Sequence, residues 1–183
     1  MTVLVTGGAA SGKSALAEKL AVSVNQGILG YFATMQVNDA ESTARVEKHR
    51  KMRSGKGFET VECPFSVPNE PAPGRFDTVL LECMSNLVAN VMFGLDKGPD
   101  ETIAFILRDM ERLCHTVRQV VIVTNEVFSD DGVYDSFTRD YISVLGAVNR
   151  VIAKTADAVL ESVCGIPVFL KGREAVSEYH AAF

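Results

Sequence analysis

The first apolar run of the chain, Val3-Leu4-Val5, leads into Gly7-Gly8-Ala9-Ala10-Ser11-Gly12-Lys13-Ser14, and a helical pattern begins at Lys13. This G-x-x-x-x-G-K-[ST] spacing, set between a strand and a helix, constrains the fold more than any other feature of the sequence. The glycines let successive backbone N–H groups turn inward around an anion, and the positive end of the following helix adds to the field. In that cradle Lys13 reaches the β and γ phosphates of a nucleotide, and the Ser14 hydroxyl takes one position around Mg2+.

A strand that feeds such a loop belongs to a parallel sheet covered by helices, and the rest of the sequence agrees. Short β-branched runs predict strands over 3–6, 28–33, 58–62, 78–83, 120–124, 158–162 and 167–170. Helical patterns fall between them, over 13–24, 39–53, 85–93, 101–117 and 136–155. The clearest is the fourth, where Ile103, Ile106, Leu107, Met110, Leu113 and Val117 repeat at helical spacing behind Pro99 and Asp100. Met84, Leu87, Val88, Val91 and Met92 form a second stripe, ended by Gly94, and both stripes read as core. Four prolines between Pro64 and Gly74 predict a surface loop.

At 183 residues the chain has the size of one domain, here a nucleotide-binding domain over 1–183. A net charge of −5 argues against broad nucleic-acid or membrane-surface binding, which needs a positive field. Cys63, Cys83, Cys114 and Cys164 form no C-x-x-C pair, so they read as buried free thiols of a cytoplasmic protein. No basic segment precedes the first apolar run, which predicts no signal peptide, and no stretch reaches the ~20 apolar residues that span a bilayer.

A Mg2+ site needs an acid at the end of a neighbouring buried strand, and Thr78-Val79-Leu80-Leu81-Glu82 supplies one at the carboxyl edge of the sheet. Glu in place of the usual Asp predicts a contact through water. Thr124-Asn125-Glu126 follows another apolar run and places a further acid, Glu126, on the same edge.

Residues 44–53, "ARVEKHRKMR", add chemistry that a simple phosphate cradle does not require. Asn38 and Glu41 have capping-box spacing at the start of this helix. Arg45, His49 and Arg53 fall at i, i+4 and i+8, on nearly one face, with Arg50 and Lys51 close by. A neutral imidazole can attack phosphorus, and cations beside it hold the triphosphate under attack. Few apolar residues interrupt this helix, so most of its surface faces water. His115 and His180 are assigned no role.

"YFATMQ", "ARVEKHRKMR", "VLLECMSNLVAN", "VIVTNEV" and "LGAVNRVIAKTADAV" follow the glycine loop in one order. Together they resemble the bifunctional adenosylcobinamide kinase / adenosylcobinamide-phosphate guanylyltransferase family of cobalamin biosynthesis, over about residues 1–172. The resemblance implies a P-loop, RecA-like α/β fold, with a mostly parallel twisted sheet of about seven strands, one of them antiparallel, and helices on both faces. It implies two reactions: phosphorylation of adenosylcobinamide by ATP or GTP, then GMP transfer from GTP to adenosylcobinamide phosphate through a GMP-histidine intermediate. It further implies a homotrimer with sites between subunits.

Matched residue by residue, the guanylylated histidine falls on His49 and the phosphate loop on Gly7, Gly8, Ala9, Ala10, Ser11, Gly12, Lys13 and Ser14. Further nucleotide contacts fall on Thr34, Met35 and Gln36, on Arg50, Lys51, Met52 and Arg53, and on the acids Glu62 and Glu82. Lys13 joins His49 as catalytic, and Ser14 with Glu82 would hold Mg2+. Ala10 stands where the family often has Arg, and Phe128 stands where it often has Gly. From the residues alone, a small-molecule P-loop kinase without a covalent intermediate, and a non-catalytic GTP-binding regulator, remain alternatives.

Overall fold

The structure, a computed structural model, describes residues 1–37, 39–69, 73–128 and 132–179. Seven strands form one sheet: β1 (Thr2–Thr6), β2 (Leu29–Ala33), β3 (Phe58–Glu62), β4 (Thr78–Glu82), β5 (Gln119–Val123), β6 (Ala158–Val163) and β7 (Ile166–Lys171). Their order across the sheet is β3-β2-β4-β5-β1-β6-β7, and every pairing is parallel except β6 with β7. The helices are α1 (Lys13–Val24), α2 (Ala40–Arg53), α3 (Met84–Ala89), α4 (Pro99–Thr116) and α5 (Ser136–Thr155).

β4 and β5 are buried along their whole length, which is why they read as unbroken apolar runs. Alternate residues serve opposite faces. Leu4, Val79, Leu81, Val120 and Ile122 pack with the stripes of α3, α4 and α5, namely Leu87 and Val88, Ile106, Met110 and Leu113, and Val144, Leu145 and Val148. Val3, Val5, Leu80, Val121 and Val123 face Leu16, Ala17, Leu20 and Val24 of α1. Pro99 stands at the first turn of α4, where a missing N–H costs nothing. The antiparallel β7 joins β6 through Cys164 and Gly165, with φ of 52° and 81°, the pair of left-handed residues that a tight hairpin requires.

The register places the functional edge. Glu62 of β3 and Glu82 of β4 both pair with Ala33 of β2, so both acids end at one level of the sheet, about 9–10 Å apart at their Cα atoms. β5 separates β4 from β1, the strand that carries the glycine loop.

Several expectations need correction. The N-cap of α2 is Asp39, whose side chain accepts from Ser42 N at 2.7 Å in a reciprocal box with the Ser42 hydroxyl. The cap expected at Asn38 lies outside the described residues, as do Pro71 and His180. α3 ends at Ala89 and continues as a wider π-helical turn, Asn90–Gly94. The proline-rich stretch is not all surface: Val67 is buried, and its N–H and the Ser66 hydroxyl both bind Asp109 of α4. Of the four free cysteines, Cys63 and Cys83 are buried, Cys114 is half-buried, and Cys164 is exposed because it forms the hairpin turn.

Candidate active site

The glycine loop is strapped from two sides. The Gly7 carbonyl accepts from Glu126 N at 3.0 Å, and the Ser11 carbonyl accepts from the Ser162 hydroxyl at 2.7 Å and from Gly165 N at 2.8 Å. At Gly7, φ is 154° and a Cβ would lie 2.5 Å from Ser11 Oγ and 2.9 Å from Ser162 O, so no side chain fits there. Ala10 accepts a left-handed φ of 57° despite its side chain. Lys13 Nζ donates to Gly8 O at 3.0 Å, which holds the ammonium inside the curl of the loop. Burial pulls the Lys13 ammonium below its ordinary value, against the opposing pull of the Glu82 carboxylate.

Glu82 is the hub. Its side chain is 8 % exposed, accepts from the Ser14 hydroxyl at Oε1 and from the Tyr31 hydroxyl at Oε2, 3.2 Å away, and has His49 Nδ1 3.5 Å from Oε1. Burial, and then the Glu82 carboxylate, push the Tyr31 hydroxyl well above its ordinary value, so it stays a donor. Arg53 lies with its guanidinium carbon 3.9 Å above the Tyr31 ring.

Lys13, Ser14, Met35, Arg45, His49, Arg53, Glu62 and Glu82 line one pocket, so residues far apart in sequence meet as expected. Arg45, His49 and Arg53 do share a helix face that looks into it. Other expected contacts lie elsewhere. Thr34 is buried, and its hydroxyl donates to Cys83 O at 2.8 Å and accepts from Cys83 N at 2.7 Å. Thr34 therefore fixes the end of β4 instead of lining the pocket. Gln36 and Met52 are half-buried outside the lining, and Lys51 is exposed. Arg50 pairs with Glu62 at 3.6 Å beside a shallow groove next to the pocket.

Tyr31, Asn86 and Asn125 line the pocket too and were not singled out by the sequence. Tyr31 left a trace as the one hydroxyl-bearing side chain in the middle of the apolar strand "LGYFA". At the end of β5 the expected acid is replaced by its neighbour: Asn125 lines the pocket and donates to Ser85 Oγ at 2.7 Å, whereas Glu126 accepts from Phe128 N at 2.7 Å.

Ser14 and Glu82 present two hard oxygens that already meet each other, the donor type that suits Mg2+. Glu18, His49 and Glu82 also bring ligand atoms within 4.8 Å of one another. Lys56 Nζ, however, lies 2.6 Å from Glu18 Oε2, and Lys13, Arg45 and Arg53 surround the same space, so positive charge is already supplied there.

Residues 3–170 match the family model for cobinamide kinase / cobinamide phosphate guanyltransferase. The chain belongs to that family. It is 36% identical to the bifunctional adenosylcobalamin biosynthesis protein CobU of Escherichia coli, over 93% of this chain and 100% of that protein. It is 33% identical to the protein of the same name from Salmonella typhimurium, again over 93% and 100%. Among solved structures, an ATP synthase subunit, NeqB from Nanoarcheaum equitans, superposes with a TM-score of 0.57 at 10% identity, covering 99% of this chain and 53% of that subunit. This chain thus spans about half of that subunit, and at such identity the likeness shows the P-loop NTPase type of fold alone. Among the described residues no helix is long and apolar enough to cross a membrane.

Proposed function

We propose that this enzyme phosphorylates adenosylcobinamide with ATP or GTP, and then transfers GMP from GTP, through His49, to adenosylcobinamide phosphate, giving adenosylcobinamide-GDP. The observation that carries this reading is the meeting of His49 with Lys13, Ser14 and Glu82 around one pocket. A P-loop kinase needs no histidine there. A displacement that leaves GMP on the protein does.

In the guanylyl transfer, the His49 imidazole forms a bond to the α-phosphorus of GTP while the bond to the β-phosphate oxygen breaks and pyrophosphate leaves. Lys13 and the inward N–H groups of the loop hold that pyrophosphate and its growing charge. A phosphate oxygen of adenosylcobinamide phosphate then attacks the same phosphorus and releases the histidine. In the kinase step the aminopropanol hydroxyl attacks the γ-phosphorus, nucleoside diphosphate leaves, and the hydroxyl proton passes to solvent or a nearby base. The same cradle serves both. Ser14 and Glu82 would hold Mg2+, which when bound neutralises phosphate charge.

Arg45 and Arg53 are assigned to the phosphates beside His49, and Met35 and Glu62 to the nucleoside end of the pocket. Residues 1–183 are taken to act as one nucleotide-binding domain in the cytosol, and the resemblance extends the reading to a homotrimer. Incubation with adenosylcobinamide, ATP, GTP and Mg2+ tests the whole reading. Adenosylcobinamide phosphate should appear first and adenosylcobinamide-GDP second, and failure to form either product would refute it.

A further inference from the structure

α2 carries His49 but has almost nothing apolar to dock with. Among its described side chains only Arg53 is buried, whereas Val46, His49 and Met52 are half-buried. Its position over the sheet must come from polar contacts. The Arg50–Glu62 pair is more than half exposed on both sides and contributes little. The Arg53–Tyr31 stack is one real anchor.

The second anchor is unusual. Glu18 lies on α1, the helix that starts at Lys13, and is fully buried, with a Glu82 carboxylate oxygen within 4.8 Å of its own. A carboxylate in such surroundings needs a countercharge, because desolvation is costly and is offset only by a close partner. Lys56 provides it, with Nζ 2.6 Å from Glu18 Oε2. Lys56 sits in the turn that ends α2. Gly55 and Gly57 on either side of it have φ of 77° and 80°, and Lys56 N donates to Arg53 O at 3.1 Å. This turn folds the chain back so that a side chain leaving the end of α2 reaches α1.

Neither Glu18 nor Lys56 lines the pocket, yet a carboxylate oxygen of Glu18 comes within 4.8 Å of a His49 ring nitrogen and a Glu82 oxygen. The pair therefore ties together the helix that begins at the phosphate loop and the helix that bears the histidine.

We propose that Glu18 and Lys56 are positioning residues, a latch buried at its Glu18 end that sets His49 against the α-phosphorus of a nucleotide held by the loop. The inference rests on the guanylyl transfer proposed above. Because the kinase step uses the loop and not His49, the latch acts on one half-reaction only.

The test compares wild type with Lys56→Met, Lys56→Arg and the double variant Glu18→Gln/Lys56→Met, whose neutral pair keeps the fold if the unpaired Glu18 of the single variant does not. Labelling of the protein from GTP carrying the label at the α-phosphate is followed in a single turnover at saturating GTP. Lys56→Met and the double variant should label roughly 10- to 100-fold more slowly, the cost of a misplacement of about 1 Å. The half-saturating GTP concentration and the phosphorylation of adenosylcobinamide should stay within about threefold, and Lys56→Arg should recover most of the rate. Labelling at the wild-type rate, or kinase activity falling in parallel, would overturn the proposal.

Hydrogen exchange separates the latch from the chemistry. The amides of α2 should exchange faster in Lys56→Met while those of α4 do not change. Unchanged α2 exchange would overturn the latch even where labelling slows. A wild type that takes no label would overturn the guanylyl transfer, and the exchange result would then decide the latch alone.

Discussion

α2 and α4 are both well-formed helices, and they are held to the sheet by different physics. α4 presents Ile106, Met110 and Leu113 at helical spacing, and all three are buried. α2 presents Arg45, His49 and Arg53 at i, i+4 and i+8, also on nearly one face, and leaves most of its surface to water. Apolar burial scales with area and tolerates small shifts, so α4 is a stable wall. Charge pairs and a cation–ring stack depend on distance and partner, so α2 is held by a few contacts that also set its chemistry.

The sharpest way to break this contrast is at the cradle assigned above to both proposed reactions. Lys13→Ala should lower phosphorylation of adenosylcobinamide and GMP transfer together by about 10²–10³-fold, as for other lost charge-stabilising groups, in assays of each product. Retention of the kinase step would separate the two sites.

On the α4 side, Leu113→Ala should cost about 2–5 kcal/mol of stability by urea unfolding, while labelling per folded molecule is kept. The same change in free energy cannot be obtained from an exposed α2 position: Lys51→Ala should stay within about 0.5 kcal/mol. Asp39→Ala removes the α2 N-cap and should cost about 0.5–2 kcal/mol, seen as a lower urea midpoint.

The smallest effect concerns pH. Burial holds the folded-state value of Lys13 below 10.5, so in the alkaline window between the folded and unfolded values the unfolded chain binds more protons. Stability should therefore gain a rising component with pH across that window, and Lys13→Met should remove it in a urea series at alkaline pH.

How much of this was legible follows from what each feature depends on. β4, β5 and α4 were readable because a strand buried on both faces and a helix with one apolar stripe write their environment into consecutive residues. Lys13, Ser14 and Glu82 were readable because each lies at the end of such an element, and His49 because it shares one face of a polar helix with Arg45 and Arg53. The buried Glu18 was not, because its partner Lys56 is 38 residues away and nothing local marks either one. Tyr31 hid for the same reason: its ring reads as core, and only Arg53 and Glu82, brought in by the fold, reveal its hydroxyl and face. Asn125 in place of Glu126 turned on which of two adjacent residues points inward, and that depends on how the chain leaves β5. The resemblance supplied Thr34, but burial and bonds to Cys83 give it a different task there.

The central claim is that His49 becomes the carrier of GMP. Incubation with Mg2+ and GTP labelled at the α-phosphate tests it most directly. The account predicts acid-labile, base-stable label on the protein, absent in His49→Ala. Label that persists in His49→Ala, or wild-type protein that takes none, would contradict it.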